Sequence, residues 1–284
     1  MANAHISAIT TCVNYSDFLT WCLMFNKHQF NRFLVVTTPQ DTRTKAVCDF
    51  FNVECLQTEA FFENEQTFGK SQAINVGIQH LLKSYKTEWI LHLDSDIIFP
   101  PRTVEFIKAY NLEKDSIYMA DRLQVLGFDK WVDFLYEVEP VHEQEVWLRT
   151  DRFPVMPRVY RNNEHGNGIV PIGYFQLWHK NSNLNTYPKI HENAARSDML
   201  FSLQWKPEKR KLLSTVYVWH LESQSADMGA NWNGRKTKPF TKDWHEEDKE
   251  VSVDIPLVSR NRFQFVVDGI EGVVDSINAF FGKL

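Results

Sequence analysis

The chain has 284 residues, 43% of them hydrophobic and 24% charged, a globular composition that excludes a disordered or low-complexity protein. A formal net charge of −5 excludes a general polyanion binder acting through bulk charge. The opening MANAHISAITTC has neither the basic nor the apolar region of a signal peptide, and no uninterrupted apolar run reaches the ~20 residues that span a bilayer. A cytoplasmic protein without a membrane span is the expectation.

HISAITTC (5–12) is rich in β-branched residues and reads as a strand, followed by a polar turn and a helix with Phe18, Leu19, Cys22 and Leu23 on one side. FLVVTT (33–38) repeats that strand pattern. Its helix is expected to open with Thr38 as N-cap, Pro39 at the first helical position and Asp41 near the positive end of the dipole. A short strand VECL (53–56) follows. The four cysteines, Cys12, Cys22, Cys48 and Cys55, lack zinc-site spacing and read as buried free thiols.

KSQAINVGIQHLLKSY puts Ala73, Ile74, Gly77, Ile78, Leu81 and Leu82 on one helical face and leads into EWILHL (88–93). That run is short and wholly apolar at its centre, with DSD directly behind it and a helix beginning near Pro101, as in a central strand projecting carboxylates from its C-terminal end. Alternation of strands and helices over the first 120 residues predicts a mainly parallel, doubly wound α/β sheet with ligands beyond the strands' carboxyl ends.

After SIYMAD (116–121) the alternation breaks down. GIVPIGYFQLWH (168–179) and STVYVWHL (214–221) read as later strands flanking a helix over 194–205, and FQFVVDGIEGVVDSINAFF near the end reads as an amphipathic helix docked on the body. The expected division is a nucleotide-binding half (1–121), an acceptor-binding and catalytic half packed on it as one unit (122–245) and a C-terminal extension (246–284).

Two carboxylates one residue apart, Asp94 and Asp96, offer hard oxygen ligands to Mg²⁺ or Mn²⁺ and leave coordination positions for phosphate oxygens. Two stretches are locally basic. RTDRFPVMPRVYRNN (149–163) includes Arg152, Arg158 and Arg161, and GRKTKPFTK (234–242) includes Arg235 and Lys236. In GYFQLWH, Tyr174 and Trp178 share the parity of one strand face and could stack on a sugar or base.

ITTCVNYSDFLTWCL, VVTTPQDTRTKAV, and GKSQAINVGI followed by LHLDSD together resemble the GT-A glycosyltransferases, especially the inverting family 2-like group, in element order over about residues 5–240. The resemblance implies a GT-A-type fold with an appended acceptor-binding region and transfer of a sugar from a nucleotide-diphosphate donor, expected to be a UDP-sugar. It makes Asp96 a direct metal ligand and has Asp94 contact the metal or the donor ribose. It also places Thr10, Asn14, Asp41, Lys70 and Asn75 beside the nucleotide. The family often carries an acidic residue where this chain has Thr37 and Thr38, which leaves the base open.

AARSDMLFSLQW (194–205) resembles the family's helix bearing the general base, implying that role for Asp198. The late histidine of VYVWHLE implies His220 as a third metal ligand, with Arg235 or Lys236 clamping the diphosphate. The compact chain also resembles bacteriophage enzymes that glycosylate hydroxymethylated pyrimidines in DNA, with Arg152, Arg158 and Arg161 gripping phosphates and Tyr174 and Trp178 holding the base. The rivals are a sugar-phosphate nucleotidyltransferase, which calls for a Gly-rich first loop that TTCVNYSDF lacks, a metal nuclease with more clustered carboxylates, a glycosyltransferase acting on glycans or small molecules, and a non-catalytic nucleotide-sugar binder.

Overall fold

The computed structural model describes residues 4–63, 68–138, 153–161, 168–182, 184–189, 194–223, 235 and 237–241. The C-terminal amphipathic segment, Arg152 and Lys236 lie outside these residues.

The first four strands, β1 (Ile6–Thr11), β2 (Arg32–Thr37), β3 (Glu54–Gln57) and β4 (Trp89–His92), pair in parallel in the order β3-β2-β1-β4. Their apolar character follows from burial on both faces. Helices α1 (Ser16–Asn26) and α2 (Thr42–Phe50) cover one side through a core that includes Phe18, Leu23, Val35 and Leu91. Helix α3 (Lys70–Ser84) covers the other, packing Ile74, Ile78 and Leu81 against Ile9, Leu34 and Val36.

The second half adds to the same sheet. β5 (Ile97–Ile98) and helix α4 (Thr103–Ala109) follow the DSD turn, then β6 (Ile117–Leu126) and helix α5 (Phe128–Val138). β7 (Tyr160–Arg161) and β8 (Gly168–Ile169) form a separate two-stranded ladder. β9 (Gln176–His179) enters antiparallel between β4 and β6, and after helix α6 (Ser197–Ser202) the long β10 (Arg210–Glu222) closes the order β3-β2-β1-β4-β9-β6-β10-β5. The result is an α/β fold whose eight-stranded sheet is mixed and mainly parallel. One sheet runs through both expected halves, and β6 crosses residue 121 without interruption.

Several boundaries differ for identifiable reasons. Asp41, not Thr38, is the N-cap of α2: its Oδ1 accepts from the Thr44 N–H at 3.0 Å, because the chain first turns through Thr38–Asp41. The run 168–179 is two strands, not one. Pro171 lacks a donor, and Phe175 N–H turns back to Ile172 O at 3.0 Å, so the ladder breaks around Gly173. The helix expected over 194–205 contracts to a 3₁₀ turn at Ala194–Arg196 and α6. Cys12, Cys22 and Cys48 are buried thiols and Cys55 is half-buried. Among the described residues no helix is long and apolar enough to cross a membrane.

Gly77 shows how closely α3 lies on the sheet. A Cβ there would stand 2.4 Å from Ile9 Cδ1 and 2.7 Å from Val36 Cγ2, both in fully buried side chains. Gly77→Ala should therefore destabilise the protein by about 1–3 kcal/mol despite alanine's better helix propensity, read as a lower urea midpoint with an unchanged m-value.

Candidate functional site

The DSD segment leaves β4 and is immediately held from two sides. Asn26, buried at the end of α1, donates to Ile97 O at 2.8 Å and accepts from Phe99 N–H at 2.8 Å. Leu221 N–H donates to Asp96 O at 2.9 Å, and the antiparallel pairs His220↔Ile97 and Trp219↔Ile98 put β10 beside the turn. That register brings His220 Nε2 to 3.6 Å from Asp96 Oδ1. His220 Nδ1 lies 3.2 Å from Glu222 Oε1 on its other side. Burial alone would lower the imidazole's pKa, yet the carboxylates of Asp96 and Glu222 raise it to about 9.

Asp94 faces a different neighbourhood. Its Oδ1 accepts from Lys70 Nζ at 2.6 Å, the lysine standing at the start of α3. Burial pushes the Asp94 carboxyl up, and the Lys70 ammonium more than reverses this, holding it at about 2. Asp198, in the first turn of α6, accepts from Gly173 N–H at 2.6 Å and from its neighbour Met199 N–H at 2.7 Å. Its pKa is raised, because burial outweighs Lys70 and these hydrogen bonds. Gly173 sits between the two carboxylates: a Cβ there would be 3.0 Å from Asp198 Oδ2 and 3.2 Å from each Asp94 oxygen. The missing side chain lets Asp94, Lys70 and Asp198 share one corner.

The donor set at Asp96 and His220 fits a divalent cation. Asp96 Oδ1 is buried without a hydrogen-bond partner, and metal–ligand bonds of ~2.1 Å on each side can bridge its 3.6 Å separation from the imidazole nitrogen. Among the described residues no group of three or more His, Cys, Asp and Glu is arranged to hold a metal. A cation here would need oxygens from substrate or water to complete its shell.

A buried polar network that the sequence did not reveal supports this corner. Gln176, fully buried on β9, donates from Nε2 to Asp198 O at 2.8 Å, Pro171 O at 3.1 Å and Ser202 Oγ at 2.6 Å. Its Oε1 accepts from Tyr187 Oη at 2.5 Å and lies 3.2 Å from His92 Nδ1. Burial lowers the His92 pKa to about 4 and keeps the ring neutral. Tyr187 stacks on Phe201 of α6 with centroids 3.9 Å apart. One amide thus ties β4 to the helix bearing Asp198. No local pattern announces this role, although a glutamine in an apolar strand is a weak sign of a satisfied buried group.

Other expected site residues have different partners. Thr10, at the end of β1, has a buried hydroxyl without a partner. Asn14 adopts a left-handed conformation (φ 56°) and donates its N–H to Asp41 Oδ2 at 2.7 Å. The Asp41 carboxylate also accepts from Thr44 Oγ1 at 2.7 Å and is only 6% exposed, so capping and loop tethering occupy its oxygens. Asn75 Nδ2 donates to Tyr187 O and its Oδ1 accepts from Tyr187 N–H, an arrangement that holds backbone. Trp178 is fully buried with its indole N–H on Asn185 Oδ1, and Tyr174 is buried with its hydroxyl on Ala120 O. Stacking on an acceptor is ruled out for Trp178, since no ring face reaches solvent. Arg158 is held by both oxygens of Asp121 at 2.6 and 2.7 Å.

Arg235 is already engaged with a carboxylate. Its guanidinium forms a two-point pair with Asp17 at 2.7 Å and 2.7 Å and stands 4.7 Å over the Tyr15 ring, while Phe240 N–H also reaches Asp17 Oδ2. These contacts tie Arg235 and Phe240 to the start of α1.

No protein-family model matches the chain, and no curated protein does. Solved structures similar to it include mannosyl-3-phosphoglycerate synthase from Rubrobacter xylanophilus (15% identity, TM-score 0.33, 43% of this chain and 41% of that one). Glucosyl-3-phosphoglycerate synthase from Mycobacterium tuberculosis in complex with phosphoglyceric acid (12%, TM-score 0.45, 77% and 72%) is another. A third is the inositol-1-phosphate CTP transferase from T. maritima (12%, TM-score 0.45, 78% and 91%). The chain spans less than half of the first of these proteins, and similarities this low transfer no activity to it.

Two outcomes follow from the geometry. Gln176→Leu should destabilise by about 2–4 kcal/mol in denaturant titrations, since several buried polar groups lose their partner together. For Asp17, burial raises the carboxyl and Arg235 overrides it, leaving a net lowered pKa. The folded value is below the unfolded one, so the stabilisation is full above the ordinary carboxylate pKa of ~3.9 and is lost as pH falls through the depressed value. The stability gap between wild type and Asp17→Asn should therefore shrink as thermal melts are taken to progressively lower pH.

Proposed function

We propose that the protein is a metal-dependent glycosyltransferase that moves a sugar from a nucleotide-diphosphate donor to a hydroxyl acceptor with inversion. The observation that carries this reading is the separation of two carboxylate environments in one corner. Asp96 offers a bare buried oxygen opposite His220, while Asp198 is held across Gly173 from the Asp94–Lys70 pair.

In this reading Asp96 and His220 hold Mn²⁺ or Mg²⁺, which when bound neutralises charge on the leaving diphosphate. Asp94, kept anionic by Lys70, orients the ribose or sugar hydroxyls, and Lys70 adds a cation beside the donor. Thr10, with its unpartnered hydroxyl, lines the nucleotide side of the same strand ends. Asp198 receives the acceptor's hydroxyl proton as that oxygen attacks the anomeric carbon; its raised pKa, a consequence of burial, suits a base better than an ordinary aspartate would. Gln176 keeps α6 in register with β4 so that base and donor carboxylates stay opposed.

The acceptor is proposed as a hydroxyl compound only. Hydroxymethylated pyrimidine in DNA is the weaker acceptor candidate, because Arg158 is neutralised by Asp121 and Tyr174 and Trp178 lie in the core. A UDP-sugar is the first donor to try.

Isothermal titration of UDP with and without Mn²⁺ tests the reading. Wild type should bind in a metal-dependent way, and Asp96→Ala and His220→Ala should each lose most of that dependence. Asp198→Asn should bind the donor normally yet turn over roughly 10²–10⁴-fold more slowly. Metal-independent binding in wild type, or loss of donor binding in Asp198→Asn, would overturn the respective assignment.

A further inference from the structure

The arginines around the site fall into two groups. Arg158 and Arg235 are each neutralised by a two-point aspartate pair. Arg122 and Arg161 have no carboxylate within ion-pair distance among the described residues, and each has a buried Nε without a hydrogen-bond partner. A guanidinium nitrogen shut away from water without an acceptor is costly unless something else satisfies it. Two such nitrogens, each on a half-buried arginine, therefore call for an explanation.

Their positions supply one. Arg122, on β6, lies with its Cζ 4.4 Å above the ring of Tyr174, which fixes the plane of the fork, and its Nη1 is 3.3 Å from His220 Nδ1. Arg161, on β7, touches the thioether of Met199, the residue after Asp198. One guanidinium therefore borders the metal-binding histidine and the other borders the base. The acceptor must lie between those two groups if the proposed function is right. A planar fork stacked on an aromatic ring is suited to two-point recognition of an oxyanion. The Arg122 Nε is withdrawn from the surface, which favours an anion carried on a small molecule that enters the site over the backbone of a duplex lying across it.

We propose that Arg122, with Arg161, forms the acceptor-side oxyanion subsite, so that the sugar acceptor is a small hydroxyl compound bearing a phosphate or carboxylate group. The inference rests on the glycosyl-transfer reading for its assignment to the acceptor; the anion site itself rests on the two guanidinium groups. Arg122 is a binding and specificity residue with no part in proton transfer.

Inorganic phosphate, titrated calorimetrically into the metal-free protein, is the direct probe, with acetate as the carboxylate arm and a short DNA duplex as the phosphodiester arm. Wild type should bind phosphate or acetate. Arg122→Gln and Arg161→Gln should each weaken that binding by roughly tenfold or more, as expected for loss of a charge-assisted contact. Arg122→Lys should restore only part of it, because the ammonium lacks the fork. Arg102→Gln, an exposed arginine paired with Glu105, should change nothing. Melting curves should show Arg122→Gln folded.

The same variants are titrated with UDP and Mn²⁺. Retained donor binding in Arg122→Gln supports the acceptor assignment, and its loss would make Arg122 a donor contact and overturn it. Absence of anion binding in wild type, or wild-type affinity in Arg122→Gln, overturns the subsite. Tighter, Arg122-dependent binding of the duplex overturns the small acceptor. If wild type fails to bind UDP with metal while phosphate binding still depends on Arg122, the glycosyl-transfer reading fails and takes the acceptor assignment with it, leaving the anion site standing.

Discussion

The antiparallel pairing of β4 with β9 sets His92 directly opposite Gln176 and determines how the two halves of the chain meet. Without that pair, the strand that leads to Asp94 and the helix that carries Asp198 in its first turn would have no common reference. Gln176 converts a ladder register into a side-chain connection, since its amide bonds α6 on one side and its carbonyl meets Tyr187 and His92 on the other. A shift by one residue would turn that amide to the opposite face and leave buried carbonyls unsatisfied.

A second register performs the same service for Asp96. β5 is only two residues long, yet its pairing with β10 fixes His220 opposite the carboxylate. Asn26 braces that short strand through both its donor and its acceptor, which compensates for the few ladder bonds so brief a pairing can make. The site is therefore held at strand ends by side chains that never enter it.

Charge is partitioned with similar economy. Asp94 is compensated by Lys70, Asp121 by Arg158 and Asp17 by Arg235, and the Asp94 and Asp17 carboxyls are held below their ordinary pKa in spite of burial. Among the described residues Asp198 accepts directly only from backbone N–H groups, and burial prevails there. Two aspartates facing one glycine thus titrate in opposite directions because one has an ammonium in contact and the other does not.

The parallel half of the fold is readable from the chain because its strands are buried on both faces and its helices carry an apolar stripe, which are local, periodic signals. The terminal position of Asp94 and Asp96 on a central strand follows from the same pattern. The rest was decided by pairing between segments distant in sequence. The break at Gly173, the insertion of β9 between β4 and β6, the partnership of Gln176 with α6, and the assignment of Arg235 to Asp17 each depend on a neighbour many residues away. Local composition marks Arg158 and Arg235 as available cations and passes over Arg122. Only the folded arrangement distinguishes a guanidinium that has met its carboxylate from one that has not, because net charge belongs to the sequence and compensation belongs to the distances between side chains.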